Sequence, residues 1–435
     1  MTIYKRKRLL INLAILLVLV IGTAIAIQFA KGYRPSIQDR IIQGTGLLSL
    51  TSYPESARVI INDRLTTVTD DKLYLTPGEY TVKIEKDGFH PWVKNIPVKP
   101  ELVSSVDARL FPLIPATSPI TFYQVDNAAA NPEATKIAYV VSHSPIEADN
   151  GLYIYSLTGN LLGSQNLQIA GADRDYSQAL LVWSPDSSQI LAIFTEDTKS
   201  GERIISSQLL STRSFNQARS ITDVTFRLPL IVSEWQDQLV KINQSSLALY
   251  PKFMNDLLTQ NAVNVYFSPD KERVIYSPTQ DANLPENEVG ASLPNINSTP
   301  ETRSLSGGAT YVYDLKEGTN YSLNESTNLE TLAKTLFTGS SATLSGNLSA
   351  VQQLKAQTDS RYTTNTSWYG SRQLIQSTSD GIIIVDYDSI NPVTITNAQV
   401  SRNFIIPSPD ASKLILLTNI NQKANIFNLL SFDLK

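Results

Sequence analysis

LVWSPDSSQILAIF (residues 181–194) decides how this chain is read, because its phrasing returns as VYFSPDKERVIYS (265–277) and IIPSPDASKLILLT (405–418). Each copy has an apolar approach, Ser-Pro-Asp, a short polar gap and an apolar return. Proline pre-sets φ at one corner of a turn, and the aspartate carboxylate can accept backbone amides within it. The run from Ile190 to Phe194 is continuously apolar, as expected of a strand covered on both faces. NPEATKIAYVV (131–141) is a degenerate copy with Glu133 in the aspartate's place. A second half of the unit, a strand and then a polar turn, reads in GLYIYSLTGN (151–160), ATYVYDLKEGTN (309–320) and GIIIVDYDSIN (381–391).

Units of this kind, repeated every several tens of residues, indicate a repeat architecture. The turn prolines are Pro132, Pro185, Pro269 and Pro409, and two weaker starts carry Trp235 and Trp368 instead. Four of the intervals are near one propeller blade of about 40–50 residues. The long interval from Pro269 to Trp368 is expected to hide one more blade. Six or seven blades over residues 113–435 follow, a radial arrangement that leaves few strand edges exposed. The phrase resembles the repeats of TolB-like and WD40-like propellers, in which Ser-Pro-Asp opens a blade and Tyr-Asp-Leu closes it. Tyr313-Asp314-Leu315 matches that ending. The competing architecture is a pair of β-sandwiches. Residues 277–308, polar and rich in Pro, Asn and Gly, are expected to be a mobile loop. Residues 326–357 have helix-like spacing at Leu329, Leu332 and Leu336, and residues 250–258 form another helix candidate.

Upstream, residues 45–112 change to a period of two. GLLSLTSYPESARVIIND suggests a strand, a turn at Tyr53-Pro54 and a second strand from Arg58 to Ile61. Pro77-Gly78 suits the centre of a type II turn, with Gly78 at positive φ. Tyr80, Val82 and Ile84 share one strand face, Asp87-Gly88 turns the chain, and Phe89 and Trp92 can cap the core's edge. This ordered set of turns resembles the PEGA domain, a small β-sandwich-like module found in bacterial and archaeal envelope and surface proteins and not an enzyme family. The naming turn reads Pro54-Glu55-Ser56-Ala57, with Ser56 in place of Gly, and Asn62-Asp63-Arg64 lacks the usual hairpin Gly. The resemblance implies a spacer or interaction module.

Residues 9–27 (LLINLAILLVLVIGTAIAI) contain no charge. A helix of that length rises about 28 Å, enough to cross a hydrocarbon layer. A transmembrane helix is therefore expected at 9–30, after a cytoplasmic tail at 1–8 and before a linker at 31–44. The rival is a cleaved signal peptide, with Lys5 to Arg8 as its basic region. Of 36 bases, six lie in residues 1–34 with no acid, so the remainder holds 30 bases against 40 acids. By the positive-inside rule the tail stays cytoplasmic and the bulk lies outside. A body of that acidity does not suit nucleic acid.

Chemistry is sparse. With no Cys there is no disulfide, thiolate metal site or Cys nucleophile. The only histidines, His90 and His143, read as surface or edge residues. No phosphate-binding glycine loop and no Gly-x-Ser-x-Gly elbow occurs. Asp386, Asp388 and Asn391 could gather oxygens around a cation, but the simpler reading is a strand-end turn. Asp173, Arg174 and Asp175 read as a solvated loop. No catalytic residue, cofactor or metal is expected. The chain is expected to be mainly β: a transmembrane helix, a PEGA-like sandwich and a six- or seven-bladed propeller. Its expected role is that of a membrane-anchored, non-catalytic binding or scaffold protein of the cell envelope, with envelope proteins or surface polymers as partners. The alternatives are a propeller enzyme acting on envelope glycans and a purely structural spacer.

Overall fold

The computed structural model describes residues 2–30, 33–35, 42–158, 166–199, 201–285, 297, 299–326, 348–363, 366–378, 381–397, 400–419 and 426–435. It divides into two compact units: Met1–Phe111 with Val289–Thr299, and Pro112–Glu288 with Pro300–Lys435.

The first unit begins with helix α1 (Thr2–Ala30). The expected transmembrane helix at 9–30 is corrected: among the described residues no helix is long and apolar enough to cross a membrane. Strands Tyr33–Pro35 and Ile42–Gly44 pair antiparallel after α1.

A β-sandwich follows. One sheet orders Arg64–Val68, Arg58–Ile61, Gly78–Glu85 and Trp92–Val98; the other orders Asp71–Leu75, Gly46–Tyr53 and Val103–Arg109. The period of two buries Leu48, Leu50, Val59, Val82, Ile84, Ile96 and Val106 between the sheets. Trp92 is buried at the core, and Tyr80 and Phe89 pack against it. The strand Gly46–Tyr53 runs parallel to Val103–Arg109, a pairing that alternation alone does not reveal. The turns differ instructively from expectation. Gly78 is not among the residues at positive φ, so the Pro77-Gly78 turn is not of the expected type. Ser56 takes φ 59°, and Asn62 and Asp63 take 48° and 63°. Non-glycine residues thus adopt the left-handed conformation at the two places where the sequence departs from the PEGA pattern. Asn62 holds its turn by accepting the Thr81 N–H at 3.0 Å.

The second unit contains, among the described residues, five antiparallel sheets of meander type, not six or seven. The first orders Asn127–Ala130, Lys136–Val141, Gly151–Ser156 and Asn166–Gly171. The second orders Leu180–Trp183, Gln189–Thr198 and Gly201–Ser211. The third orders Ala262–Phe267, Arg273–Pro278, Ala309–Asp314 and Thr319–Ser326. The fourth orders Thr366–Trp368, Gln373–Thr378, Gly381–Asp386 and Val393–Thr396. The fifth orders Val400–Pro407, Lys413–Thr418 and Asn428–Asp433, and strand Ala116–Pro119 pairs antiparallel with Asn428–Asp433. The unit's first strand therefore seals its last sheet.

The recurrent phrase is the turn between the first and second strands of a sheet. Ser184, Ser268 and Ser408 accept the N–H of Ser187, Lys271 and Ala411 through their carbonyls, at 2.9, 2.9 and 2.7 Å. The residue after each aspartate has positive φ: Ser187 59°, Lys271 62° and Ala411 51°. Ala134, in the degenerate copy, has 53°. A type I turn followed by one left-handed residue matches strand twist. The serine hydroxyl supplies the rest. Ser184 Oγ donates to Asp186 Oδ1 at 2.6 Å, Ser268 Oγ to Asp270 at 2.6 Å and Ser408 Oγ to Asp410 at 2.7 Å. Each hydroxyl also accepts the amide that opens the return strand, from Gln189 at 3.0 Å, Arg273 at 2.9 Å and Lys413 at 2.9 Å. In the first sheet Asn131 does this work alone, accepting from Thr135 and Lys136 at 2.8 and 2.7 Å. Its amide donates across to Ser187 Oγ of the next turn at 2.9 Å, so neighbouring turns interlock.

Adjacent sheets pack through their apolar faces. One cluster joins the first and second sheets through Ala129, Val140, Ile154, Leu181, Trp183 and Ile190. Others join the first and fifth, and the third and fourth. Trp183 donates its indole N–H to Ala129 O at 3.0 Å, and Trp368 donates to Tyr266 O at 2.9 Å, each reaching the first strand of the preceding sheet. Between the second and third sheets the expected blade at Trp235 is replaced by helices α2 (Leu228–Leu247) and α3 (Lys252–Gln260). Leu228, Ile231, Val232, Trp235 and Leu239 recur at helical spacing and bury one stripe against Val182, Leu191 and Ile193. The helix expected at 250–258 is α3, which packs Met254, Leu257 and Leu258 on the third sheet.

The interval from Pro269 to Trp368 holds no further blade among the described residues. It contains three strands of the third sheet, a small ribbon pairing Ala282–Asn283 with Ser304–Leu305, and helix α4 (Leu348–Thr363). Leu284 and Leu305 are buried in the third sheet's core, while residues 286–296 and 298 of the expected loop lie outside the described residues. Leu329, Leu332 and Leu336 also lie outside them.

Candidate functional site

A propeller-like unit offers two places for a ligand: the axis where opening strands converge, and its rims. Here the axis is occupied. Helix α4 contacts the opening strands of the first, second, fourth and fifth sheets. One helix can reach four such strands only where they converge. Val351 and Leu354 are fully buried against the second sheet and α2, and Lys355 Nζ donates to Leu181 O at 3.0 Å. Helix α4 therefore lies where these opening strands approach one another, with Gln352 and Gln353 exposed on its other side.

A cavity of about 210 Å³ lies at the outer edges of the first and second sheets. Ala170 and Gly171 end the first sheet's outer strand, Gln208 stands on the second sheet's outer strand, and Asp173, Arg174, Tyr176, Asn216, Ala218 and Ile221 complete the lining. This corrects the reading of residues 173–175 as a uniformly solvated loop. Asp175 does act as a turn residue, accepting the Ser177 N–H at 2.8 Å. Arg174 is instead fixed inward: its guanidinium lies 3.7 Å from the Phe194 ring centroid and donates to Ser206 Oγ. Tyr176 is buried, its ring 5.7 Å from that of Phe194, and its hydroxyl donates to Gln208 Oε1 at 2.9 Å. Burial raises the Tyr176 phenol to about 12, which keeps it a donor at neutral pH. With the amide oxygen of Gln208 so engaged, its NH₂ is the group left for the cavity. Asn216 is a wall. Its amide donates to Ile169 O and Ser211 O at 2.9 Å, and its oxygen accepts from Ser211 N at 2.9 Å. The Asp223 carboxyl, held below its usual range by Thr225 and to a lesser degree by Arg174, adds negative charge nearby.

The other singled-out residues are dispersed. Asp386 accepts from Gln373 Nε2 at 3.2 Å and from Asn391 Nδ2 at 3.0 Å, so Asp386 and Asn391 close a turn with each other. Among the described residues, no group of three His, Cys, Asp or Glu side chains could hold a metal ion. His143 Nδ1 lies 3.2 Å from Asp126 Oδ2 on the surface, and the backbone of His90 donates to Phe111 O at 2.8 Å. Sequence reasoning missed the buried pair Arg273 and Asp314, 2.7 Å apart, whose members lie in adjacent strands of the third sheet. In sequence, Tyr313-Asp314-Leu315 carries only the signal of a blade ending.

Residues 45–113 match the family model of the PEGA domain. No curated protein matches the chain. Among solved structures, the chain is similar to the β-propeller domain of the Trilobed protease from Pyrococcus furiosus, at 11% identity and a TM-score of 0.16, covering 87% of this chain and 80% of that one. It is also similar to a β-propeller domain from Myceliophteria thermophila, at 8% identity and a TM-score of 0.24, covering 73% and 98%. A third is an oligogalacturonate lyase from Vibrio parahaemolyticus, at 6% identity and a TM-score of 0.24, covering 82% and 86%.

Proposed function

We propose that this chain is a non-catalytic binding or scaffold protein of the cell envelope, with envelope proteins or surface polymers as its partners. The observation that carries the reading is the PEGA-domain match at residues 45–113 beside a propeller-like unit. The filled axis adds to it. With α4 on the opening strands, contact with a partner falls to the outer edges and turn-bearing faces. A polar cavity lies on such an edge and offers hydrogen-bonding groups. The absence of Cys leaves the fold indifferent to an oxidising compartment.

Affinity capture tests this. Tagged full-length chain is incubated with an envelope preparation, washed, and its retained proteins and polysaccharides identified. A reproducible partner that binds the purified chain directly supports the reading. Capture of nothing, together with depolymerisation of added envelope glycans by the purified chain, overturns it in favour of an enzyme.

A further inference from the structure

The rim cavity is more specific than a generic contact surface. Its volume, about 210 Å³, is below the roughly 300–1,000 Å³ of pockets for drug-sized ligands, so it takes one small unit rather than an extended molecule. Donors and acceptors converge on it: the Asp173 carboxylate, the Arg174 guanidinium and the Gln208 NH₂. Two of these groups are held in place, since Arg174 is sandwiched by Phe194 and Ser206 and Gln208 is locked by Tyr176. A floor of Ala170, Gly171, Ala218 and Ile221 offers apolar contact. The charge balance argues against a small anion, because Asp173 in the lining and Asp223 nearby more than offset Arg174. A ligand bearing adjacent hydroxyls, each both donor and acceptor, can satisfy the whole set with no net charge of its own.

We propose that this cavity is a subsite for one neutral pyranose unit of a hydroxyl-rich polymer. The proposal rests on the surface-polymer form of the function proposed above. Gly171 sits where the sugar would lie against backbone. A Cβ there would meet Asp173 Oδ2 at 3.5 Å and the Phe215 ring at 3.8 Å, ordinary contacts that narrow the cavity without disturbing the sheet.

The test uses the full chain and ligand-observed NMR titrations with cellobiose, maltose and N,N′-diacetylchitobiose, with galacturonate and inorganic phosphate as charged competitors. At least one neutral disaccharide saturates in the millimolar range. Asp173→Asn and Gln208→Ala each weaken it about tenfold, as loss of one good hydrogen bond does. Neither competitor displaces it. Asp173 is exposed, so its variant retains the fold, checked by circular dichroism, even if Gln208→Ala does not. Lack of saturation by all three sugars, affinities unchanged in both variants, or displacement by phosphate overturns the proposal. If sugars fail while an envelope protein is still captured, only the subsite falls. If capture fails as well and the purified chain depolymerises envelope glycans, the parent reading falls with it.

Discussion

Removing Arg273 should be far more costly than removing its partner Asp314, and the structure says why. The Arg273 side chain is 2% exposed and that of Asp314 is 0% exposed, with Nε and Oδ2 2.7 Å apart. At an effective dielectric of about 20 the attraction at that distance is about 6 kcal/mol, set against a desolvation cost of several kcal/mol per ion. The pair is thus near balance as a whole, and the asymmetry lies in what each residue keeps when the other goes. Arg273 also donates to Ser371 O at 3.1 Å, lies 3.6 Å from Asp270 and 3.9 Å from Glu272, and sits 4.7 Å from the Tyr387 ring centroid. Burial works against its charge, yet Asp314, Tyr387, Asp270 and Glu272 together push its pKa up. Among the described residues Asp314 forms no second ion pair, and its carboxylate also accepts the backbone N–H groups of Lys316 and Glu317, at 2.9 and 3.0 Å. Arg273→Met, which leaves a buried carboxylate without its cation, should cost about 3–5 kcal/mol. Asp314→Asn, which preserves both backbone bonds and leaves Arg273 its other partners, should cost about 1–2 kcal/mol. The double variant should cost less than the sum by about 2 kcal/mol, since the second change removes the stranded charge. Urea denaturation followed by tryptophan fluorescence measures all three. Additive costs, or Arg273→Met milder than Asp314→Asn, would refute the assignment of Arg273 as the hub between the third and fourth sheets.

Acid should attack the recurrent turns. Asp186 is held below its usual range by the Ser184 hydroxyl. At Asp410 burial acts in the opposite sense, and the Ser408 and Ser412 hydroxyls outweigh it. Both folded pKa values lie below the unfolded value of about 3.9, so their stabilisation is complete above it and is lost as pH falls toward the folded values. Thermal melts between pH 5 and pH 2 should fall more steeply for the native chain than for Asp186→Asn/Asp410→Asn, and equal slopes would contradict this. Ser56→Gly should stabilise the PEGA unit by up to about 1 kcal/mol, read as a raised melting temperature, because Ser56 is held at φ 59°. Ser56→Val should lower it. Leu354→Ala should destabilise the second unit by about 2–5 kcal/mol, because that side chain is fully buried on α4; a change below 0.5 kcal/mol, read by urea denaturation, would mean that α4 is not packed at the axis.

Legibility in the sequence followed the range of the interaction. The strands of the PEGA unit were readable because one face is buried and the other wet, and Gly46–Tyr53 and Arg58–Ile61 fall where alternation put them. The Ser-Pro-Asp turns were readable because they are closed by residues two to five positions apart. Trp235 was misplaced because an isolated tryptophan was matched to the blade pattern, while the spacing of three and four around it pointed to a helix. The parallel pairing of Gly46–Tyr53 with Val103–Arg109 was invisible, being set by sheet closure across the whole module. Arg174 gave no signal for a similar reason. Its partners Ser206 and Phe194 lie on strands more than one turn away in sequence, and nothing in Asp-Arg-Asp distinguishes an inward arginine from a solvated one.

Helix α4 is the element on which the functional argument turns. Its sequence, LSAVQQLKAQTDSRYT, is too polar to be recognised as a core helix. A helix at a propeller axis need not be uniformly apolar, because opening strands present backbone as well as side chains; Lys355 reaches Leu181 O for that reason. Thr358, fully buried, returns its hydroxyl to Leu354 O and Lys355 O within the helix at 3.3 and 3.0 Å, so it needs no partner from the strands. Lys355 and Thr358 thus keep hydrogen-bond partners where the helix meets the opening strands. A helix on these opening strands narrows the space in which side chains from several sheets could gather a substrate at the axis. At the perimeter, Arg174 and Gln208 are fixed by Phe194, Ser206 and Tyr176 around an opening sized for a single small unit, with Asp173 exposed in its lining.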